Sequence, residues 1–222
     1  MLVDLHVHTY PASDCSQIAY RDLLTFCRLN GVQAIALTNH GDVTDNLALE
    51  GPLAEQGVVL VHGVEISTLY GDFILFSPDL DYLATFQDVQ GLPRAEEIPD
   101  TAAMVWVHPA AGGGRSGSSY YSGLADQVGD RIDAVEVWNG NWTGDRYVRT
   151  AEELAMALDK PQTGGSDAHT VDRLLTCVTE IPRAVTGTAD VVTALKNGLV
   201  RPVPPPEPPR GGGLRRLFGR AR

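Results

Sequence analysis

The 222-residue chain has only three cysteines, Cys15, Cys27 and Cys177, odd in number and far apart. That spacing argues against a disulfide framework and a cysteine-based zinc site, and it suits a reducing cytoplasm. No window approaches the roughly 18 uninterrupted apolar residues of a membrane-spanning helix. The start lacks a basic segment followed by an apolar run, so no secretory leader is expected. Positive charge is also scarce: 17 Lys and Arg against 28 Asp and Glu leave a net charge of −11. Six arginines and one glutamate fall within residues 201–222, so this end carries +5 and the remainder −16 by subtraction. An acidic body repels long nucleic acids, whose binding rests on a basic footprint. Divalent ions can still reverse the sign of the field inside a small pocket.

What is present is a set of short apolar runs that each end in a metal-binding side chain. In Asp4-Leu5-His6-Val7-His8-Thr9, the apolar residues read as a buried strand, and residues i and i+2 of a strand share a face. His6 and His8 can therefore close on one ion. Val32 to Asn39 leads into His40, Val58 to Val64 into Glu65, and Ala102 to Val107 into His108-Pro109. Gln162 to Ser166 leads into Asp167-Ala168-His169, a second same-face pair. Parallel α/β folds place their chemistry at the C-terminal ends of strands. Imidazole and carboxylate donors suit Zn, Mn or Fe. Singly, each residue has a structural alternative: Asp167 as a helix cap, Glu65 as a surface carboxylate.

These segments, together and in this order, resemble the polymerase and histidinol phosphatase (PHP) family of metal-dependent phosphoesterases, over Met1 to about Pro182. The resemblance implies an α/β fold, a distorted (β/α)7 barrel, holding two or three divalent ions. It implies that His6, His8, Glu65 and Asp167 match ligands of the more buried ion or bridging positions, with Glu65 and Asp167 helping to hold the attacking water. His40, His108 and His169 match ligands of neighbouring ions, and Asp14 matches a position where the family uses His, Asp or Glu. Asp14 has an alternative as an Asx-turn or helix cap before Gln17. Two positions depart from the family pattern. Asn39 stands where many members carry Asp before the third histidine, and an amide is a weaker partner than a carboxylate. After the fifth main strand no histidine or cysteine follows, so the candidates there are Glu136, Asn139 and Asn141, with Asn139 taken as the ligand.

At this length the chain suits one sizeable domain, residues 1–199, followed by a Pro/Gly-rich linker and basic tail over residues 200–222. Helices are expected over Tyr20 to Leu29, Thr44 to Gln56 with an interruption at Gly51-Pro52, Gly144 to Leu158, and Thr188 to Lys196 with Thr188 as cap. Strands alternating with helices imply a largely parallel sheet. Asp72 to Phe76 reads as a further strand. If Glu65 faces inward, strand alternation turns His62 outward and places Trp106 beside His108, as a pocket wall or a core aromatic. The Gly112 to Ser119 run lacks the lysine and following helix of a phosphate-binding P-loop. It could present Arg115 to a phosphate; Arg146 and Arg173 are rival clamps, and each has a solvated surface role as its alternative.

Function expected from these residues is hydrolysis of a small phosphorylated metabolite or nucleotide by a metal-activated water. A 3′–5′ exonuclease or phosphodiesterase acting on nucleic-acid ends is the rival enzyme, and a non-catalytic metal-stabilised binding module is the rival class. The tail from Leu214 to Arg222 could meet an acidic partner, nucleic acid or an anionic membrane surface, or simply be a solubilising end.

Overall fold

The computed structural model describes residues 1–86, 91–111 and 127–205. Arg115 with its glycine-rich loop, and the basic tail over residues 206–222, lie outside the described residues. The main sheet has six strands: β2 (Ala34–Leu37), β3 (Val59–Thr68), β4 (Gly71–Phe76), β5 (Ala103–Val107), β6 (Ala134–Asn139) and β7 (Gln162–Gly165), paired in that order. It curls into a half-barrel. A second, antiparallel sheet joins β1 (Leu2–Val3), β8 (Val178–Glu180) and β9 (Arg201–Val203) in the order β1-β8-β9.

The expected parallel sheet is interrupted at one place. β4 runs antiparallel to both β3 and β5, while β2-β3, β5-β6 and β6-β7 are parallel. The cause is connection length: two residues separate β3 from β4, whereas a parallel return needs a crossover of a dozen or more. Arg201 to Val203, expected to start the linker, instead pairs with β8. Pro202 is tolerated there because β9 is an edge strand.

Five α-helices are described: α1 (Tyr20–Asn30), α2 (Thr44–Ala54), the short α3 (Leu80–Ala84), α4 (Asp145–Ala157) and α5 (Thr188–Lys196). Gly31, at φ 62°, ends α1 in the left-handed region. Gly51-Pro52 does not interrupt α2 as expected: the helix runs through it to Ala54. Thr188 is the first residue of α5 rather than its cap, and its hydroxyl accepts the His62 N–H at 2.9 Å. One sheet face, through Phe73, Leu75, Met104, Trp106, Val135 and Val137, packs on α4 residues Val148, Ala151 and Leu154. The other, through Val61, Ile74, Phe76, Val105 and Ala134, packs with Leu5 and with Val191 and Leu195 of α5. α1 and α2 cover β2 through Leu23, Leu49 and Leu53. Each such buried Val, Leu, Ile, Phe or Met side chain contributes about 1.5–3 kcal/mol relative to exposure.

The segment from Asp4 to His8 leaves β1 and lies between β2 and the residues after β7. Ala36 and Thr38 donate to the carbonyls of Asp4 and Val7 at 2.8 and 2.9 Å, and the His8 N–H donates to Ala168 at 3.1 Å. Isolated bridges Asp4–Ile35 and Val7–Ala168 mark the same contacts. The first and last metal-binding motifs are thereby neighbours, although some 160 residues apart in sequence.

Candidate metal centre

His40, His108, Asp167 and His169 follow the ends of β2, β5 and β7, whereas Glu65 lies within β3, which continues past it to Thr68. His6 and His8 project together from the Asp4–His8 segment, their Nε2 atoms 3.1 Å apart. Glu65, on β3, reaches four imidazoles: Oε2 lies 3.5, 3.2 and 3.1 Å from nitrogens of His6, His8 and His40, and Oε1 lies 3.2 Å from His108 Nε2. Asp167 Oδ1 stands 3.5 Å from His6 Nε2, 3.4 Å from His8 Nε2 and 3.5 Å from His169 Nδ1. Among the described residues, three groups have donor atoms close enough to share an ion: His6/His8/Asp167, His6/Glu65/His108 and His8/His40/His169. His40 and His169 are the more open members, with side chains 44% and 31% exposed, so access is from their side.

Two of these ligand positions hold strained backbone. His108 has φ 31° and Asp167 φ 50°, a region that non-glycine residues seldom occupy and that costs of order 1–3 kcal/mol. At His108 this conformation turns the side chain off the strand alternation. Trp106 therefore does not wall the site: it is fully buried on the other face, stacked on Phe73 with centroids 5.6 Å apart. His62 points away from Glu65, its Nε2 3.4 Å from Glu50 on α2.

The donor set fits cations. Both Glu65 oxygens are buried and accept no hydrogen bond of normal geometry, despite the ring of nitrogens around them. Such an orphaned buried carboxylate is costly unless a positive charge meets it. The charges are strongly coupled. Burial alone would depress His6, yet Asp167, Glu136 and Glu65 hold it well above the ordinary imidazole range. Burial would raise Glu65, but His6, His108 and His40 keep it well below the carboxylate range. His108 is opposed by burial and raised to about 9 by Glu65. His40 and His169 are lowered, first by burial and then by neighbouring imidazoles. Positive charge is wanted at the centre of the cluster, where protons or metal ions compete for the same nitrogens.

Other residues aim these ligands. Glu136, on β6, accepts from His6 Nδ1 at 3.0 Å through Oε1, and from the His108 N–H at 3.0 Å and Asn139 Nδ2 at 2.8 Å through Oε2. It fixes His6 with Nε2 facing the cluster, the role carboxylates play behind metal-bound histidines. Asp4 is fully buried and accepts N–H bonds from Ser166 and Leu175, both at 2.9 Å, tying the first motif to the last. Burial pushes its carboxyl up to about 6 against those hydrogen bonds. On the other side, Asn39 accepts the Thr9 N–H at 2.7 Å and donates to the Thr9 hydroxyl at 3.0 Å. Thr9 in turn donates to buried Asp45 at 2.7 Å, and Asp45 also accepts from Ala12 N–H and Tyr20 OH. This latch joins the residues beside His8 and His40; the amide of Asn39 contacts Thr9 and supports no imidazole directly.

Of the residues named from sequence, His6, His8, His40, Glu65, His108, Asp167 and His169 are brought together. Asp14 is exposed and outside the three groups. The residue that its loop turns inward is Ser13, whose Oγ lies 3.4 Å from His8 Nδ1 and accepts the His40 N–H at 3.1 Å. Asn139 lies beside Asp167, but its amide donates to Glu136 and, at 3.4 Å, to Asp167, while its oxygen accepts the Asn141 N–H. It is placed to orient carboxylates. Arg146 and Arg173 are exposed and do not line the cleft.

The cleft over the cluster has a volume of about 250 Å³ and is lined by His40, Glu65, Ser67, Asp72, His108, Asp167 and His169. Asp72 was not foreseen. On the β3–β4 ladder it opposes Ser67, two residues beyond Glu65 on the same face. Both its oxygens are buried without a hydrogen-bond partner, and Oδ2 is 3.8 Å from His108 Nδ1. Burial and the Glu65 charge raise its carboxyl to about 6. Asp72 could join Glu65 and His108 around a cation.

Residues 146–200 match the PHP-associated (PHP_C) family model. No curated protein matches the chain in sequence. In fold, the chain is similar to a two-domain protein from Bacteroides vulgatus containing a predicted PHP-like metal-dependent phosphoesterase (16% identity, TM-score 0.71), covering 92% of this chain and 65% of that one. It is similar to a proposed metal-dependent phosphoesterase from Bifidobacterium adolescentis, at 15% identity and TM-score 0.59, covering 75% of this chain and 87% of that one. An amidohydrolase from Chromobacterium violaceum with bound sulfate aligns at 13% identity and TM-score 0.62, over 92% and 98% of the two chains. The PHP-associated match over residues 146–200, together with the fold shared with these structures, makes this chain similar to PHP domain proteins.

Proposed function

We propose that this chain is a metal-dependent phosphoesterase that hydrolyses a small phosphorylated substrate. The observation that carries the reading is Glu65: a buried carboxylate encircled by four imidazoles, with neither oxygen accepting a proper hydrogen bond. We read the six-stranded sheet, bridged on both sides by the Asp4–His8 segment, as the wall of a distorted (β/α)7 barrel. His6, His8, Glu65, Asp167, His40, His108 and His169 would hold two or three ions, with Zn, Mn or Fe the candidates by donor type. Bound divalent ions supply Lewis acidity and lower the pKa of water at the site.

The chain's own residues do the rest. Glu136 and the Asn39–Thr9–Asp45 latch hold the imidazoles in place, so little reorganisation is left for the reaction itself. Among the described residues no arginine or lysine lines the cleft, and Glu65, Asp72 and Asp167 all do. A phosphate would meet only like charge there without cations, so substrate binding and metal binding are coupled. The cleft is small, the body is acidic, and both favour a small ester over a polymer. The free cysteines suit a reducing cytoplasm as its compartment.

The test is elemental analysis of the purified protein, coupled to a panel of phosphomonoesters, phosphodiesters and amides. Phosphomonoester turnover is expected, with His8→Ala and Asp167→Asn each lowering metal content and abolishing turnover. Full activity in both variants, or turnover confined to amides, overturns the reading.

A further inference from the structure

β6 ends at Asn139, and the chain then doubles back so that the Trp142 N–H donates to the Asn139 carbonyl at 3.0 Å. This turn is clamped to the segment that carries Asp167. The Gly140 N–H donates to the Gly165 carbonyl at 3.0 Å, and Asn141 Nδ2 donates to the Asp167 carbonyl at 2.9 Å. Gly140 presses so closely that a Cβ there would stand 2.2 Å from the Ser166 carbonyl oxygen. The turn therefore has little slack relative to the metal ligands.

Trp142 sits on this turn, next to Asn141 and outside the residues that line the cleft, so it could meet only the part of a substrate that extends beyond them. Its ring stacks on Tyr147 of α4, with centroids 6.2 Å apart and planes 28° from parallel. Tyr147 is itself held: it is 8% exposed, and its hydroxyl donates to the Glu136 carbonyl at 3.5 Å. Trp142 remains 36% exposed. An indole backed by one aromatic ring and open to solvent is a surface on which a second flat ring can stack. Because the turn and Tyr147 already fix it, little ordering entropy remains to be lost on binding.

We propose that Trp142 is the specificity platform of this site, stacking the organic part of the substrate and selecting phosphate esters that carry a flat unsaturated ring over aliphatic ones. The proposal rests on the phosphoesterase reading and assigns its substrate class. Trp142 acts on the organic group and leaves the metal ligands untouched.

The test uses the full-length, metal-loaded protein with naphthyl phosphate and glycerol phosphate. Trp142→Ala should raise KM for naphthyl phosphate about ten-fold, the scale of one lost aromatic stack. It should leave KM for glycerol phosphate and the metal content unchanged, and Trp142→Phe should restore most of the loss. An equal effect on both esters, or none on either, overturns the platform while leaving the phosphoesterase reading intact. If the wild type turns over neither ester, that reading fails. Calorimetric binding of the two compounds then decides the platform: ring preference lost in Trp142→Ala supports it, and absence of ring preference in the wild type overturns it.

Discussion

Exchanging Glu136 for glutamine replaces one oxygen with an NH2 group of nearly the same size. The two carboxylate oxygens together accept three bonds, one from His6 Nδ1 and two from the His108 N–H and Asn139 Nδ2. An amide can keep only one side. Asn139 cannot adapt by flipping, because its oxygen already accepts the Asn141 N–H at 2.9 Å. The amide oxygen should therefore stay with the two donors, leaving NH2 against His6. His6 must then accept at Nδ1, which moves its proton to Nε2, the nitrogen that faces His8, Glu65 and Asp167. The lone pair needed for a metal ion is lost. Partners behind metal-bound histidines are commonly worth about 10–100-fold in affinity, so Glu136→Gln should weaken metal binding by about 1.4–2.7 kcal/mol. Competition against a chromophoric chelator measures this, with circular dichroism as the check on folding. A folded variant that binds metal as tightly as the wild type refutes the reasoning.

Gly165→Ala should act on the same contact from the other side. Its Cβ would lie 2.5 Å from both Glu136 Oε1 and His6 Cβ, so a loss of about 1–3 kcal/mol in thermal stability, together with metal, is expected; Gly144→Ala meets nothing and serves as control. Asp45→Ala leaves Thr9, Ala12 and Tyr20 without their acceptor, which should cost about 1–3 kcal/mol by denaturant titration and weaken the ion shared by His8 and His40. His62→Gln should leave metal content and turnover intact; a loss as large as that of a ligand variant would show that His62 serves the site. Burial lowers His62 in the fold, with Glu50 partly offsetting it. The unfolded chain thus binds its proton first, and stability should be full above about 6.5 and fall as pH drops below that value. His62→Gln should flatten that part of the stability–pH curve, as read by thermal unfolding; an unchanged curve contradicts the assignment.

The cluster of candidate ligands was legible because it is written locally. His6 with His8, and Asp167 with His169, are pairs two residues apart, and apolar runs precede His40, Glu65 and His108. What escaped depended on pairing between distant segments. Asp72 gains meaning only from the ladder that sets it opposite Ser67, and no local pattern distinguishes it from a surface acid. Glu136 was visible as a possible ligand, but its duty behind His6 depends on a contact across 130 residues. The displacement of Trp106 reflects one dihedral: alternation along a strand holds until a residue such as His108 adopts positive φ. Asp14 matched a family position by its distance along the chain, yet the loop turns Ser13 inward instead. The helices were readable from spacing and stop residues, whereas β9 was masked by a proline content that an edge strand accommodates.

The reversed direction of β4 also bears on how such a site can vary. A hairpin brings Ser67 and Asp72 to one cleft through a single short excursion, with Leu69 at its tip 91% exposed. Residues inserted at that tip would lengthen the rim while Glu65 kept its place opposite Ile74. Rim shape and the geometry of the candidate ligands are thus independently adjustable, and the cleft can be reshaped by editing a loop.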